Sequence, residues 1–407
     1  MKRIDGGVTA PQGFKAASTA ANIKYEGRED MALIYSEEVC RVAGTFTSNV
    51  VKAAPVIWDR NIVEHNIGVQ AVVINSGIAN ACTSDEGIAI CLKTAQAVSS
   101  ALHIPYEGVL VASTGVIGMQ IPIDKIKNGI STMVPNLSYD RASAMGAAKA
   151  IMTTDTIPKE VAVSTTIGGK EVIIGGMSKG SGMIHPNMCT MLAFVMTDAN
   201  ISKEMLDKAL HLVVEDTYNM ISVDGDTSTN DTCLLMANGK AENDIIDSEG
   251  EAFDAFVTAL MEVNKTLAMM MASDGEGATC LFEVTVQGAD NVANAKTLAK
   301  SVVTSSLTKT AIAGHDANWG RIICALGYAG VEFDPEKVDL YFESEVGKLQ
   351  IVRSGVATDY SEDEATDILS ADKVTAICDM HMGDATATAW GCDLTHEYVS
   401  INADYRS

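Results

Sequence analysis

Residues 179–192 read Lys179-Gly-Ser-Gly-Met-Ile-His-Pro-Asn-Met-Cys-Thr-Met-Leu192, and this stretch decides how the whole chain is interpreted. Its glycines and small polar residues lead to Thr190, which opens the apolar, strand-like run Met191-Leu-Ala-Phe-Val-Met196. A threonine hydroxyl is a poor nucleophile until a base takes its proton. If the backbone is cut between Cys189 and Thr190, the new α-amine, which titrates near pH ~7.7–8, becomes that base on the same residue. The stretch therefore predicts a self-cleavage site that exposes a nucleophile for acyl transfer.

Six further segments are rich in glycine, small polar residues or acids: Ser113-Thr-Gly-Val-Ile-Gly118, Met152-Thr-Thr-Asp155, Ser222-Val-Asp-Gly-Asp-Thr-Ser-Thr-Asn-Asp231, Asp274-Gly-Glu-Gly-Ala-Thr279, Asn318-Trp-Gly-Arg321 and Ile401-Asn-Ala-Asp-Tyr-Arg-Ser407. Together with residues 179–192 they resemble, in order and nearly end to end, the ornithine acetyltransferase family of ArgJ type, also known as glutamate N-acetyltransferases. Cys189 stands where this family usually has alanine, and because cysteine is nearly as small we expect cleavage to survive. Ser407 stands where threonine is common and keeps the hydroxyl.

The resemblance implies a self-processing fold of DmpA/ArgJ type. Residues 1–189 would form an alpha chain and residues 190–407 a beta chain that starts at the nucleophile, and both would fold together as one two-lobed body. The implied activity is transfer of an acetyl group from N2-acetylornithine to glutamate through an acetyl-Thr190 intermediate, in the cyclic pathway of arginine biosynthesis. The implied partners are these small molecules and the two chains themselves, as an α2β2 heterotetramer. Use of acetyl-CoA as a second donor stays open, because the family contains both bifunctional and monofunctional members.

The resemblance also assigns the oxyanion hole to Thr114 and Gly115. From the residues alone, this pair ends an apolar strand, where glycine tolerates unusual dihedral angles and a simple turn would be the ordinary interpretation. In the functional interpretation, the Gly115 N–H and the Thr114 hydroxyl face the oxygen that becomes negative during attack.

The remaining site residues implied by the resemblance contact the substrate, together with Thr190: Thr153, Lys179, Glu276, Asn402 and Ser407. Taken singly, each is more often a surface residue, a cap or a turn residue. The chemistry agrees with the assignment, because an acetylated diamino acid offers a carboxylate for Lys179. Its amide suits Thr153 and Asn402, and its cationic side chain suits Glu276 and the Ser407 carboxylate.

Composition narrows the class of protein. A net charge of −24 argues against nucleic-acid binding, which depends on lysine and arginine contacts to phosphate. The nine cysteines follow no repeating framework, which fits a reducing cytoplasm. The first residues show no signal-peptide pattern, and no apolar run approaches the ~18–20 residues that span a bilayer. We therefore expect a cytoplasmic protein of two or three domain-sized units that binds neither membrane nor nucleic acid.

Hydrophobic periodicity predicts a layered α/β protein. Helical spacing is clearest in five segments: Ile88–Leu102, Arg141–Met152, Lys203–Met220, Glu251–Ala272 and Asn294–Leu307. Strand-like runs are Val69–Asn75, Gly108–Ser113, Glu171–Met177, Met191–Thr197, Thr232–Ala237, Cys280–Val286 and Ala385–Ala389. Because strands often follow one another without an intervening helix, mixed and largely antiparallel sheets are expected rather than a doubly wound sheet.

Two other segments partly match known functional motifs, but the residues around them do not fit those motifs. Gly176-Met-Ser-Lys-Gly180 fits the nucleophile elbow, but a strand and not a helix follows Ser178. The polar segment 224–231 begins like a calcium loop, but it has Thr229 where the sixth-place glycine belongs. It reads as a polar turn that supports the active site. Phosphate-binding glycine motifs are absent, so no nucleotide cofactor is predicted.

A zinc-like spacing joins four residues: Cys378, His381, Cys392 and His396. If Cys392 to His396 is a strand, its ends lie roughly 13 Å apart at ~3.3 Å per residue. That separation is too large for one zinc ion, whose ligands lie ~2.0–2.3 Å away. No metal is expected.

Two rival functions remain open. One is an N-terminal-nucleophile amidohydrolase or aminopeptidase, in which water or a peptide amine reacts at Thr190. The other is a catalytically silent binding or regulatory protein with the same fold, which would remain a single intact polypeptide.

Overall fold

The computed structural model describes residues 1–185 and 191–404, and they form two compact units. Unit 1 contains residues 1–180, 191–219 and 227–268, and unit 2 contains residues 181–185, 220–226 and 269–404. The chain therefore passes between the units several times. One of these passages is the segment 181–185, which belongs to unit 2 although the strands before and after it belong to unit 1.

The described strands are β1 (Lys2–Ile4), β2 (Phe14–Thr19), β3 (Met31–Phe46), β4 (Val69–Asn75), β5 (Val109–Ser113), β6 (Lys159–Ile167), β7 (Lys170–Lys179), β8 (Leu192–Thr197), β9 (Ile221–Ser222), β10 (Thr232–Ala237), β11 (Leu281–Ala289), β12 (Asp339–Glu343), β13 (Lys348–Arg353), β14 (Val356–Ala357), β15 (Lys373–Asp379) and β16 (Ala385–Cys392). The described helices are α1 (Ala54–Glu64), α2 (Ser84–Leu102), α3 (Ile123–Met133), α4 (Arg141–Ala150), α5 (Lys203–Asp216), α6 (Glu251–Ser273), α7 (Val292–Thr304), α8 (Ser306–Ala313), α9 (Trp319–Gly327), α10 (Glu362–Leu369) and α11 (His396–Ala403).

Unit 1 is built on a mixed sheet. Its strands lie in the order β1-β6-β7-β8-β10-β3-β4-β5, and β2 also pairs with β3. The pairs β8–β10 and β4–β5 are parallel, whereas the other pairs are antiparallel. Every residue of β8 is buried, so this strand reads as a continuous apolar run and not as an alternating one. The predicted fold class is confirmed.

The core of unit 1 explains why β4 and β5 are apolar on both faces. Val72, Ile74 and Leu110 pack in one buried cluster, and Ala71, Val73 and Val109 pack in another. Helix α2 contributes Ile90, Cys91, Ala95 and Val98 to the second cluster at helical spacing. Apolar residues on both faces of a central strand are expected when other elements cover both sides of a sheet.

Unit 2 has a second mixed sheet, in the order β14-β13-β12-β15-β11-β16-β9. Strand β11 alternates, with Phe282, Val284 and Val286 buried between less buried residues. Helix α7 buries its apolar stripe in this unit, and Gly391 of β16 lies close to Val303 of the helix. The sheet is thus apolar on the face that meets α7. This is expected because successive side chains of a strand point to opposite faces of the sheet.

Two predicted helices differ from the structure at their ends. The predicted helix Lys203–Met220 stops at Asp216, because Thr217 leaves helical geometry with φ −124° and ψ −87°. The predicted helix Asn294–Leu307 is two helices, since Ser305 ends α7 and its hydroxyl accepts a hydrogen bond from the Thr308 N–H as the cap of α8. In both cases apolar spacing continues past the end of the helix.

None of the helices within residues 1–185 and 191–404 combines the length and the apolar character that crossing a lipid bilayer requires.

Candidate active site

Three neighbouring strands of unit 1 meet at the point where the chain resumes after the predicted cleavage site. Lys179, the last residue of β7, lies opposite Leu192, the first residue of β8. Thr232, the first residue of β10, lies opposite Leu192 on the other side, and its N–H donates to the Met191 carbonyl at 2.8 Å. The sheet therefore holds Leu192 from both sides and Met191 from the side of β10. Residues 186–190, which include Cys189 and Thr190, lie outside the described residues.

Lys179 lies beside a buried carboxylate. Its side chain is 10% exposed, and its Nζ is 4.0 Å from Oδ2 of Asp155, whose side chain is fully buried. The Asp155 oxygens also accept hydrogen bonds from Lys159 Nζ at 2.7 Å and from the Gly180 N–H at 2.7 Å. Burial disfavours the Asp155 charge, but Lys179 and Lys159 outweigh it and lower the pKa of Asp155 to about 2. Two lysine side chains therefore lie beside one buried carboxylate in this cluster.

Thr153 belongs to the same cluster. Its backbone N–H donates to Asp155 Oδ2 at 3.0 Å, so the turn that carries Thr153 is fixed by the carboxylate that also faces Lys179. The Arg28 guanidinium donates to the Met152 carbonyl and further stabilises this turn. The structure thus brings together two of the predicted substrate contacts, Thr153 and Lys179.

Asp231 is a second buried acid near Lys179. It is 2% exposed, and its Oδ2 has no hydrogen-bond partner in the described part of the chain. Burial raises the pKa of Asp231 well above its usual range, although Ser228 and Lys179 act in the opposite direction. Burial of Asp231 next to Lys179 thus disfavours the charged form of this acid.

Thr114 and Gly115 follow β5 directly, as predicted. The Thr114 N–H donates to the Asn75 carbonyl at 3.0 Å. Gly115 has φ +127°, and a Cβ there would collide with the Gly77 carbonyl group, so only glycine fits this turn. Within residues 1–185 and 191–404, neither the Gly115 N–H nor the Thr114 hydroxyl donates a hydrogen bond to a protein acceptor. Both donors are therefore available to an external oxygen.

Asn230 connects this turn to the start of β10. Its side-chain amide donates to the carbonyls of Ser113 and Ala79, the former at 2.8 Å. Ser113 precedes Thr114, and Asn230 is two residues before Thr232, whose N–H holds Met191. A continuous set of hydrogen bonds in unit 1 thus joins the predicted oxyanion turn to the backbone that follows Thr190 in the sequence.

Unit 2 brings together two other predicted substrate contacts. Asn402 of α11 donates from Nδ2 to Glu276 Oε2 at 2.7 Å. Glu276 is 7% exposed, and its N–H donates to the Ser181 carbonyl at 2.9 Å. A Cβ on Gly182 would collide with the Glu276 carboxylate, so the glycine at 182 makes room for this acid. Ser407 lies outside the described residues.

His185, the last described residue before the junction, is also part of unit 2. Its Nδ1 is 3.1 Å from Ser222 Oγ. Burial lowers the pKa of His185 to about 4, with a contribution from the positive charge of Lys300 and opposition from Asp224. The imidazole is therefore neutral at neutral pH.

The alternative motifs occupy ordinary structural positions. Ser178 is a buried residue inside β7, not in a strand-to-helix turn. The strand assumed between Cys392 and His396 is wrong, because β16 ends at Cys392 and His396 begins α11. The chain turns there because Asp393 accepts from the Thr279 N–H and Thr395 caps α11. In the described ranges, no three His, Cys, Asp or Glu side chains are grouped so as to hold a metal ion.

The sequence of this chain is similar to known proteins over nearly its whole length. A model of the ArgJ family matches residues 15–407. The chain belongs to the ArgJ family. It is 50% identical over 398 residues to the arginine biosynthesis bifunctional protein ArgJ of Thermotoga neapolitana, covering 98% of this chain and 99% of that relative. The protein of the same name from Caldanaerobacter subterraneus subsp. tengcongensis is 49% identical over 407 residues, covering 100% of both.

A solved structure of an ArgJ protein is also similar to this chain. The crystal structure of the arginine biosynthesis bifunctional protein from Bacillus halodurans matches with 47% identity and a TM-score of 0.50. The match covers 97% of that solved chain but 52% of this chain. The solved chain is therefore about half as long as this ArgJ-family chain.

Several polar residues of this ArgJ-family site were not predicted from the sequence: Asp155, Lys159, Asn230 and Asp231. Asp155 ends one of the family-like segments, and Asn230 and Asp231 end another, immediately before an apolar strand. Polar residues just before a buried strand were the one feature of the sequence that could have indicated these site residues. Some of their partners are distant along the chain, such as Gly180 for Asp155 and Ser113 for Asn230, and sequence spacing does not show such pairs.

Proposed function

We propose that this protein transfers an acetyl group from N2-acetylornithine to glutamate, as a glutamate N-acetyltransferase of arginine biosynthesis. The observation that carries the proposal is full-length identity of about half to proteins named arginine biosynthesis bifunctional protein ArgJ. The available donors at Thr114 and Gly115 support it chemically, because acyl transfer needs hydrogen bonds to a developing oxyanion.

The nucleophile in this proposal is Thr190, freed by self-cleavage after Cys189. Its α-amine takes the hydroxyl proton as Oγ1 attacks the acetyl carbonyl carbon, and the carbonyl oxygen becomes an oxyanion facing Thr114 and Gly115. Collapse of this intermediate breaks the amide bond, and the amine of Thr190 returns the proton to the departing α-amine of ornithine. Glutamate then attacks the acetyl ester by the reverse steps, so that Thr190 is regenerated.

The length of the solved relative supports cleavage at this position. Cleavage after residue 189 of 407 would leave a second chain of 218 residues, slightly more than half of the precursor. A solved ArgJ chain that is matched over nearly all of its length covers about half of this chain.

We infer that the two products stay together and assemble as an α2β2 heterotetramer.

Within unit 1, the ammonium group of Lys179 suits the substrate α-carboxylate, and Thr153 lies beside it in the same cluster. Within unit 2, the buried Glu276 carboxylate suits a cationic side chain, and Asn402 holds that carboxylate in place. The proposal needs no resident cofactor, and acetyl-CoA is a second candidate donor because the relatives are named bifunctional.

The test uses the purified full-length protein. It is incubated with acetylornithine alone and then with glutamate, and products and peptides are analysed by mass spectrometry. We expect an acetyl group on the peptide that begins at Thr190, followed by acetylglutamate after glutamate is added. Acetate released at the same rate with and without glutamate would instead show an amidohydrolase. An intact chain without turnover would show a silent binding protein. A parallel reaction with acetyl-CoA as sole donor decides whether the protein is bifunctional.

A further inference from the structure

The chain just before the predicted cleavage site is held by a loop of unit 2. The carboxylate of Asp224 accepts hydrogen bonds from two consecutive backbone N–H groups, Met183 at 2.6 Å and Ile184 at 2.9 Å. The Val223 N–H donates to the Ile184 carbonyl at 2.6 Å. With the contact between Ser222 and His185, each residue of Ser222–Asp224 therefore holds part of the segment 183–185.

Two adjacent N–H groups converge on one carboxylate because of an unusual backbone conformation. Met183 has φ +55°, in the left-handed region that residues other than glycine rarely adopt. Successive N–H groups in such a conformation form a concave anion-binding nest. The nest needs an acceptor on both oxygens, which aspartate supplies. An asparagine would direct its NH2 group towards one of the two donors.

Other groups keep the Asp224 carboxylate in place. The Tyr398 hydroxyl donates to Oδ2 at 3.2 Å, and the Asp226 N–H donates to Oδ1 at 3.2 Å. Burial raises the pKa of Tyr398, and the Asp224 charge raises it further, so this hydroxyl keeps its proton as a donor. Four donors of the protein therefore hydrogen-bond to the Asp224 carboxylate.

The backbone that follows the cleavage site is anchored separately. Met191 and Leu192 are fixed in the sheet of unit 1 by Thr232 and Lys179, without a carboxylate. The chain is thus held both before and after residues 186–190. Among residues 1–185 and 191–404, the upstream anchor uses a charged side chain, whereas the downstream contacts join backbone groups.

We propose that Asp224 is a positioning residue for self-cleavage, which holds the Met183–Ile184 backbone and so restricts the chain upstream of the Cys189–Thr190 bond. The inference rests on the proposed function, because it takes Thr190 as the group that attacks this bond. An intramolecular attack is fast only when the reacting groups are held near the geometry of attack, so loss of the anchor slows the cut. Acetyl transfer by the cleaved protein should depend less on that anchor, because the bond that it positions is already broken.

The experiment follows newly made full-length chain in cell-free translation. The uncleaved fraction is measured against time on a denaturing gel for the wild type, Asp224→Asn, Asp224→Glu and Asp226→Asn. We expect Asp224→Asn to slow cleavage by about tenfold or more. Asp224→Glu keeps the charge and is expected to cleave faster than Asp224→Asn. Asp226→Asn removes a neighbouring charge whose side chain is not in the nest, and it should cleave at the wild-type rate.

Two further measurements separate positioning from general damage. After Asp224→Asn has been left to finish processing, its kcat for acetyl transfer should fall by a much smaller factor than its cleavage rate. Tyr398→Phe removes a donor to Asp224 but leaves the nest, and it should cleave faster than Asp224→Asn.

Cleavage of Asp224→Asn at the wild-type rate would overturn the inference. So would a loss of kcat in the processed variant that equals its loss in cleavage rate. A Thr190→Ala chain that is still cut after Cys189 would instead refute the proposed nucleophile, whatever Asp224 does.

Discussion

Lys179 and Lys159 both lie beside the buried carboxylate of Asp155, and their positive charges control its ionisation. Burial withdraws Asp155 from water, yet the two lysine side chains keep it ionised. The Lys179 ammonium group is 4.0 Å from this carboxylate. Its proposed contact with a substrate carboxylate can be tested by removing its charge.

Replacing Lys179 by methionine tests this role. We expect a rise in KM for acetylornithine of roughly ten- to a hundredfold, since a hydrogen bond to a charged group contributes ~1.5–3 kcal/mol. Acetylornithine methyl ester, which lacks the carboxylate charge, should be much less affected. The matched control is Lys170→Met at the exposed start of β7, which should leave both KM values unchanged. Equal losses on acid and ester would reject the carboxylate role, and an upward shift of the pH–rate profile would point to an effect on the Thr190 amine.

The low pKa of Asp155 predicts that the folded protein loses stability in acid. Its pKa is about 2 in the folded protein and ~3.9 when unfolded, so the folded state gains stability above pH ~4. This gain, roughly 2.6 kcal/mol, is lost progressively as the pH falls through ~4 towards 2. Asp155→Asn should lower the Tm at pH 7, because breaking a buried pair commonly costs ~3–5 kcal/mol. It should also show a smaller further loss of Tm than the wild type across the acid range. Parallel Tm curves for the two proteins below pH 4 would contradict this assignment.

At the scale of elements, the turn after β5 offers a matched pair of glycines. Gly115 lies against the Gly77 carbonyl, whereas Gly118 has φ +81° and open space around it. Alanine at 115 must displace the turn, and we expect a loss of kcat of about a hundredfold or more, as for other oxyanion donors. Alanine at 118 meets only the cost of the left-handed conformation, ~1–2 kcal/mol of stability, and should keep its kcat. Steady-state kinetics of the two variants measure the difference, and equal kcat values would remove Gly115 from the oxyanion hole.

Local patterns predicted the longest helices, α2, α5, α6 and α7, but not all of their exact ends, and elements such as β3, α1 and α3 were not predicted. The predicted helix Glu251–Ala272 ends within a residue of α6, because its apolar period and its boundaries are both local. The break at Ser305 was not predicted, since the apolar spacing of α7 continues into α8 and only a side-chain cap separates them.

Polar pairing was harder to predict than apolar burial. The chemistry of Thr114 and Gly115 follows from adjacent residues, but Asn230 reaches Ser113 across 117 residues. Asp155 and Lys179 likewise meet only because the fold returns β7 to the turn after α4. The sequence around Asp155 and Lys179 does not show that their side chains are close. The charges that surround each of them are therefore known only from the tertiary structure.

At the scale of the whole molecule, self-cleavage predicts two fragments of 189 and 218 residues, the second beginning Thr-Met-Leu-Ala. Thr190→Ala should abolish both processing and turnover, because one hydroxyl serves both steps. Thr190→Ser loses only the methyl group that restricts χ1 and should retain part of each. Intact-mass measurement and N-terminal sequencing check the fragments. Active wild-type protein that remains full length would contradict the scheme, as would near-normal turnover by Thr190→Ala.

Assembly is a separate prediction. If the products stay together as α2β2, light scattering of the native protein should give twice the mass of one full precursor chain, while a denaturing gel shows two bands. Dissociation of the two fragments on a sizing column under native conditions would contradict it.

The position of β8 has a consequence for the lifetime of the protein in a cell. Ordinary chain ends fray, and exopeptidases remove residues from them one at a time. A chain that begins at Thr190 would enter a central strand two residues later, where Leu192 is paired on both sides and every residue of β8 is buried. An aminopeptidase that removed Thr190 would meet this paired strand almost at once, so we expect trimming to stop within the first two residues. We also expect the amide protons of Leu192 and its neighbours to exchange with deuterium among the slowest in the described part of the chain.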